Sequence, residues 1–140
     1  MGSIRDTVVF RLVQVSRTMR KQAAVDLGHL GLYVGQEMFL LPLWARDGLT
    51  QSQLVAALGV EPPTVTKVVE RMAKAGLLER RRDPEDGRVS RVYLTASGRA
   101  LEEPVRRFWE ALEQRVLAGC TPEERMLLRR LLQHMDANLS

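Results

Sequence analysis

Residues 50–98 read TQSQLVAALGVEPPTVTKVVERMAKAGLLERRRDPEDGRVSRVYLTASG, and the punctuation inside this stretch sets the fold. Thr50 with Gln53 three residues on is a capping-box pattern, and it opens a helix that Gly59 closes. Pro62 or Pro63 fits the first turn of a second helix, where a missing N–H costs nothing. Gly76 suits the left-handed position after that helix ends at about Ala75. Two short strands follow, Leu77–Arg82 and Val89–Leu94, around the turn Asp83-Pro84-Glu85-Asp86-Gly87. In the second of them Val92 and Leu94 alternate with Arg91 and Tyr93, as in a half-exposed strand.

The flanks are helical. Ile4, Val8, Leu12, Val15 and Met19 recur at steps of three and four, predicting an amphipathic helix from Ile4 to Asp26 with Ser3 as its cap. Leu27–Tyr33, with Gly28 and Gly31, reads as a loop, and Val34–Ala45 as a short apolar helix that Pro42 shortens or kinks before the turn Asp47-Gly48. Thr95 is expected to cap a long helix to Ala118, with Leu101, Val105, Phe108, Leu112 and Val116 on one face and a kink at Pro104. Thr121-Pro122-Glu123-Glu124 starts the last helix, which carries Leu128, Leu131, Leu132, Met135 and Leu139. The fold class is therefore mainly α with a small β-hairpin wing: a winged helix–turn–helix with N- and C-terminal dimerisation helices. Residues 1–140 form a single fold, 48–98 its winged lobe, and 1–34 with 99–140 the helices whose apolar stripes a second copy of the chain would cover.

Composition narrows the chemistry. The chain has 140 residues, 45% of them hydrophobic, 27% charged and 5% aromatic, with a net charge of +4. Its bases are eighteen Arg against three Lys, and arginine suits fork-shaped recognition of carboxylate or phosphate. Residues 61–99 hold nine bases and six acids, whereas residues 100–140 hold six bases and seven acids. The single cysteine, Cys120, excludes an intramolecular disulfide framework, and two histidines, His29 and His134, are too few for a motif-like metal site, so neither a metal nor a cofactor is expected. Apolar runs such as Met38–Leu41 are too short for a membrane span. Arg5 and Asp6 interrupt any secretory h-region, and Asp6 breaks the myristoylation pattern that Met1-Gly2 begins; a cytoplasmic location is expected. No Ser/His/Asp, Cys/His or phosphate-loop pattern points to an enzyme.

The bases gather on two surfaces. Advancing about 100° per residue from Thr64 places Val65, Val68, Val69 and Met72 on one face of the second helix, while Thr64, Lys67, Arg71 and Lys74 fall within about 80° of one another on the other. A stripe of hydroxyl, Lys and Arg donors is what a helix in a DNA major groove presents to phosphates and to guanine. The plain alternative is a solvated face with a Glu70–Lys74 pair. The hairpin adds Arg80, Arg81, Arg82, Arg88 and Arg91, five arginines in twelve residues. An arginine on a narrow β-tip suits the minor groove, where negative potential concentrates, and Asp86 is placed to hold the Arg88 guanidinium by a bidentate pair. The plain alternative here is a charged edge that resists aggregation.

These residues resemble the MarR family of bacterial and archaeal transcription regulators. The resemblance lies in Leu54-x-x-x-Leu58-Gly59-Val60, Thr64-Val65-Thr66-Lys67 and Gly76-Leu77-Leu78-Glu79-Arg80. It continues in Asp83-Pro84-Glu85-Asp86-Gly87-Arg88 with Leu94-Thr95-x-x-Gly98, which matches the wing signature D-P-x-D-x-R…L-T-x-x-G. It implies a homodimer on double-stranded DNA, with recognition helices in successive major grooves of a pseudo-palindromic operator about 10 bp apart. By position, Thr64, Thr66 and Lys67 would face the major groove and Arg88 the minor groove, with Asp86 orienting the wing and Arg71, Arg82 and Arg91 adding basic contacts. Gly87 stands where many members have Arg, a lost contact for which Arg91 is the expected compensation. The resemblance further implies a repressor released by a small aromatic or anionic effector, with Tyr33, Met38, Trp44, Arg46 and Trp109 as cleft candidates. Two other readings stay open: a regulator without an effector, constitutive or responding through oxidation of Cys120, and a helical interaction module whose basic hairpin binds an acidic partner.

Overall fold

Serine and threonine hydroxyls decide where most of the helices begin. In the computed structural model, which describes residues 2–140, Ser3 caps a single 3-10 turn at Ile4–Asp6 and Thr7 caps α1, Val8–His29. Thr50 opens α3, Gln51–Leu58, and Thr121 opens α7, Pro122–Leu139, each through the reciprocal capping box expected with Gln53 and Glu124. Between them lie α2 (Glu37–Ala45), β1 (Leu49–Thr50), α4 (Pro62–Lys74), β2 (Leu78–Arg82), β3 (Ser90–Leu94), α5 (Ala96–Ala100) and α6 (Glu102–Val116). The architecture is mostly helical with one small antiparallel sheet, the winged helix–turn–helix plan.

Five local expectations change. The 3-10 turn precedes α1 because the Thr7 hydroxyl both donates to the Ile4 carbonyl oxygen and accepts from Phe10 N–H, starting the helix anew. At its other end α1 runs through Gly28 to His29, held by the buried Leu27, so the expected loop is shorter. The helix α2 begins at Glu37, later than Val34, and continues past Pro42 to Ala45.

The sheet has three strands, not two, in the order β1-β3-β2, with Leu49 opposite Val92 and Thr50 opposite Arg91. A two-residue strand is too short to show alternation in the sequence. The helix expected from Thr95 to Ala118 is divided at Leu101 and ends at Val116. Pro104 has no N–H for the Ala100 carbonyl, and its ring crowds that group, which produces a break rather than a kink.

The chain forms two compact units, Met1–Arg106 and Arg107–Ser140. The first is cored by Leu27, Leu40, Leu43, Leu54, Val65, Val69, Met72, Val92 and Val105, all essentially inaccessible to water. Each such side chain contributes roughly 1.5–3 kcal/mol of transfer free energy. Val65, Val69 and Met72 are the buried face expected of α4, with Val68 half-buried beside them. In the second unit the Arg125 guanidinium donates to the carbonyl oxygens of Leu117 and Cys120 at 3.0 and 3.2 Å, which satisfies carbonyls at the C-terminal end of α6.

Candidate nucleic-acid interface

The pair α3–α4 turns at Gly59, which ends α3 with φ 63°. Burial of Val65, Val69 and Met72 leaves Thr64, Lys67, Arg71 and Lys74 exposed together on the outer face of α4, as the helical spacing requires. Glu70 does not pair with Lys74. It meets Arg80 of β2 at 3.4 Å instead, so the solvated i, i+4 pair weighed against a binding face does not form. Thr66 sits differently from its neighbours. Its hydroxyl donates to the Pro62 carbonyl oxygen at 3.1 Å and accepts from Gln51 Nε2 at 3.3 Å, joining the two helices to each other.

The wing sorts its arginines. Arg81 lies over the Tyr93 ring, 4.4 Å from the centroid, and pairs with Glu79 at 3.1 Å. That partner holds the Glu79 carboxyl below its ordinary value and the Arg81 guanidinium above its own. Arg82 is exposed at the end of β2. At the tip, the Arg88 side chain is 92% exposed. Asp86 orients it through one oxygen, Oδ1, which accepts from Arg88 N at 3.1 Å and from Arg88 Nε at 3.3 Å; this is a turn contact and not the bidentate pair expected. Among the described residues, no ion pair engages Lys67, Arg71, Lys74 or Arg82.

Arg91 is tied within the fold. Its Nε donates to Asp83 Oδ2 at 2.7 Å and its NH1 to the Gly48 carbonyl oxygen at 2.9 Å, and the side chain is 32% exposed. Asp83 Oδ1 accepts the Glu85 N–H at 2.8 Å, and that bond, followed by the Arg91 contact, keeps the Asp83 carboxyl below its ordinary value. Gly48 itself is irreplaceable on two counts: φ is 74°, and a Cβ there would lie 2.7 Å from the Tyr93 ring.

In Leu94-Thr95-x-x-Gly98, Thr95 is the helix cap expected, here of α5, and the segment also makes contacts that sequence reasoning did not supply. Thr95 Oγ1 donates to the Gly76 carbonyl oxygen at 2.6 Å and accepts from Gly98 N at 3.1 Å. Gly98 packs against the Leu77 carbonyl so closely that any Cβ would overlap it. Asp47 is more than the turn residue that its sequence suggests. Its Oδ1 accepts from Leu94 N at 2.8 Å and its Oδ2 from Arg99 at 2.8 Å, fixing the end of α2 to β3 and α5.

The effector candidates are dispersed in role. Tyr33 is 78% exposed, and Met38 and Arg46 are exposed as well. Trp44 is half-buried, with its indole N–H committed to the Gly98 carbonyl oxygen. These four belong to the first unit. Trp109 belongs to the second, where it makes an edge-on contact with Phe108, centroids 6.4 Å apart. A shallow hollow of about 520 Å³ lies along α1, lined by Leu12, Val13, Ser16, Arg17 and Arg20, and none of the five candidates borders it. Cys120 is a free, half-buried thiol. Among the described residues there is no cluster of metal-ligating side chains, and no helix is long and apolar enough to cross a membrane.

Comparison with known proteins agrees with this geometry. The MarR family model matches residues 32–90. The organic hydroperoxide resistance transcriptional regulator of Bacillus subtilis is 33% identical over 100 residues, 71% of this chain and 68% of that protein. The HTH-type transcriptional regulator YdgJ of the same organism is 33% identical over 98 residues, 70% of this chain, and the matched part is 60% of YdgJ. A crystal structure of the S. aureus MepR–DNA complex superposes with a TM-score of 0.87 at 27% identity, covering 96% of this chain and 99% of that one. Both Bacillus subtilis relatives are regulators of transcription. The chain belongs to the MarR family, as a transcription regulator with a DNA-binding winged helix–turn–helix fold.

Proposed function

We propose that the protein is a cytoplasmic homodimeric repressor that binds a pseudo-palindromic operator, with α4 in the major groove and the wing tip in the minor groove. The observation that carries this reading is the joint exposure of Thr64, Lys67, Arg71 and Lys74 on α4 and of Arg88 on the wing. Exposed bases at a helix face and at a narrow β-tip match the two grooves of a duplex. The MepR–DNA complex supports the same use of the fold.

The second copy is the cover for apolar side chains that the single chain leaves open. In the first unit these are Val8, Val9, Leu12, Val13 and Val15 of α1; in the second they are Met126, Leu127, Leu128 and Leu132 of α7. Residues 1–34 and 99–140 then serve dimerisation and residues 48–98 serve DNA. Release by a small aromatic or anionic effector belongs to the same proposal, with exposed Tyr33, Met38 and Arg46 as contacts, and a thermal-shift screen with phenolic acids tests it.

Arg88→Ala tests the DNA reading. Binding to a duplex selected from random DNA should weaken by roughly 1–3 kcal/mol, and the slope of log affinity against log salt should fall by about one. Unchanged affinity in an anisotropy titration removes Arg88 from the interface.

A further inference from the structure

We propose that Arg91 is a positioning residue that locks the wing to the turn before α3, and that it makes no contact with DNA. The inference rests on the DNA-binding reading above and adds to it a device that fixes the angle between the two contacting elements. The device is a continuous path. The Gly48 carbonyl oxygen, on the turn before α3, accepts from Arg91, and Arg91 pairs with Asp83 at the base of the wing. Asp83 N–H donates to the Val89 carbonyl oxygen at 2.8 Å, and Val89 N–H to the Asp86 carbonyl oxygen at 3.0 Å. Asp86 then holds Arg88 through Oδ1. The side chain of Asp83 is only 13% exposed and that of Arg91 only 32%, so the pair is sheltered where the tip contact is open to solvent.

The chemistry of this path assigns different tasks to two arginines of one hairpin. A guanidinium directed at a carboxylate and a carbonyl has two of its five N–H donors held within the protein, one of them by a charge-assisted bond. A duplex that must meet α4 and the wing tip together binds more tightly when their separation is fixed in advance, because less ordering remains to be done on binding. Arg91 sits opposite Thr50 in the sheet, so the same residue also lies beside the cap that starts α3.

The sign of one charge change separates this role from direct contact. Asp83→Asn keeps an oxygen for the Glu85 N–H but loses the charge that holds Arg91. Removing an acid near DNA strengthens binding if Arg91 is a phosphate contact that Asp83 merely restrains. If Arg91 is a lock, the same change weakens it. Titrate a labelled duplex, selected from random DNA by the unaltered protein, with the full chain and with Asp83→Asn, Arg91→Ala and the double variant across a range of salt. The expected result is about tenfold weaker binding for each single variant, no further loss in the double, and an unchanged salt slope. Arg91→Lys should restore binding only in part, because an ammonium lacks the planar fork. Tighter binding by Asp83→Asn, or a slope lowered by about one in Arg91→Ala, overturns the proposal. Amide exchange gives a readout that needs no DNA: exchange at Glu85, Arg88 and Val89 should quicken in both single variants, and unchanged exchange also overturns it. Failure of the unaltered protein to select any duplex would instead count against the DNA reading, with the exchange result still deciding the lock.

Discussion

The indole N–H of Trp44 donates to the carbonyl oxygen of Gly98 at 3.0 Å, tying the end of α2 to the first turn of α5 across 54 residues of sequence. Beside it, Asp47 bonds Leu94 N and Arg99, and Thr95 bonds Gly76, so the lobe is fastened at one place where α2, α4, β3 and α5 meet. Trp44→Phe keeps an aromatic ring but removes the donor together with the five-membered part of the indole. Thermal or urea denaturation should show a loss of at least about 1 kcal/mol, the ordinary net worth of such a bond, with the lost ring volume adding to it. A variant as stable as the parent would show that this bond contributes nothing to holding the joint.

Gly98 is required by space. A methyl group there would meet the Leu77 carbonyl, a backbone atom that cannot swing aside. Gly98→Ala should therefore destabilise by roughly 1–3 kcal/mol, whereas Gly87→Ala, with nothing within 4 Å, should stay within about 0.5 kcal/mol of the parent. Equal effects at the two sites would contradict the packing argument.

On α4, Arg71 and Thr66 should part company. Arg71→Ala should lower the salt slope of DNA binding by about one and leave the melting temperature unchanged, because the side chain is exposed and makes no ion pair among the described residues. Thr66→Val should lower the melting temperature as well as affinity, since the hydroxyl bridges α3 and α4. Paired melts and titrations of the two variants check this.

Glu37 gives the fold a pH dependence. It is 3% exposed, Oε1 accepts the Gly35 N–H at 2.9 Å, and Oε2 has no hydrogen-bond partner among the described residues. Burial raises its carboxyl above the ordinary value of 4.5, against the opposing effects of the Gly35 N–H and the Arg20 charge. The folded chain thus keeps a proton that the unfolded chain has lost in the range just above 4.5. This contribution to stability is full below that range and is lost as pH rises through the folded value. Measured by urea denaturation from about pH 7 to about pH 5, the parent should gain on Glu37→Gln as pH falls. A difference independent of pH would contradict the assignment.

The parts of the fold visible in the sequence were those written in local punctuation. Thr50, Gly59, Pro62, Gly76 and Thr121 each mark an element boundary by a rule spanning a few residues, and the apolar spacing of α4 fixed which of its faces stays outside. What escaped was set by distant partners. Leu49-Thr50 is a strand only because β3 lies beside it. Arg91 looks like every other arginine of the hairpin until Gly48 and Asp83 are brought to it, 43 and eight residues away. The bond from Trp44 to Gly98 is equally hidden, because an aromatic ring gives no sign in sequence of where its N–H is directed. Glu37 carried no signal either, since nothing adjacent to it foretells burial.

Competition between duplexes tests the central claim most directly. The unaltered protein, offered a selected pseudo-palindromic duplex and a scrambled duplex of equal length and composition at the same salt, should prefer the first by roughly 10³-fold or more and bind it as two protomers per duplex. Equal affinity for the two duplexes, at any stoichiometry, would contradict a sequence-specific regulator built on α4 and the Arg88 wing.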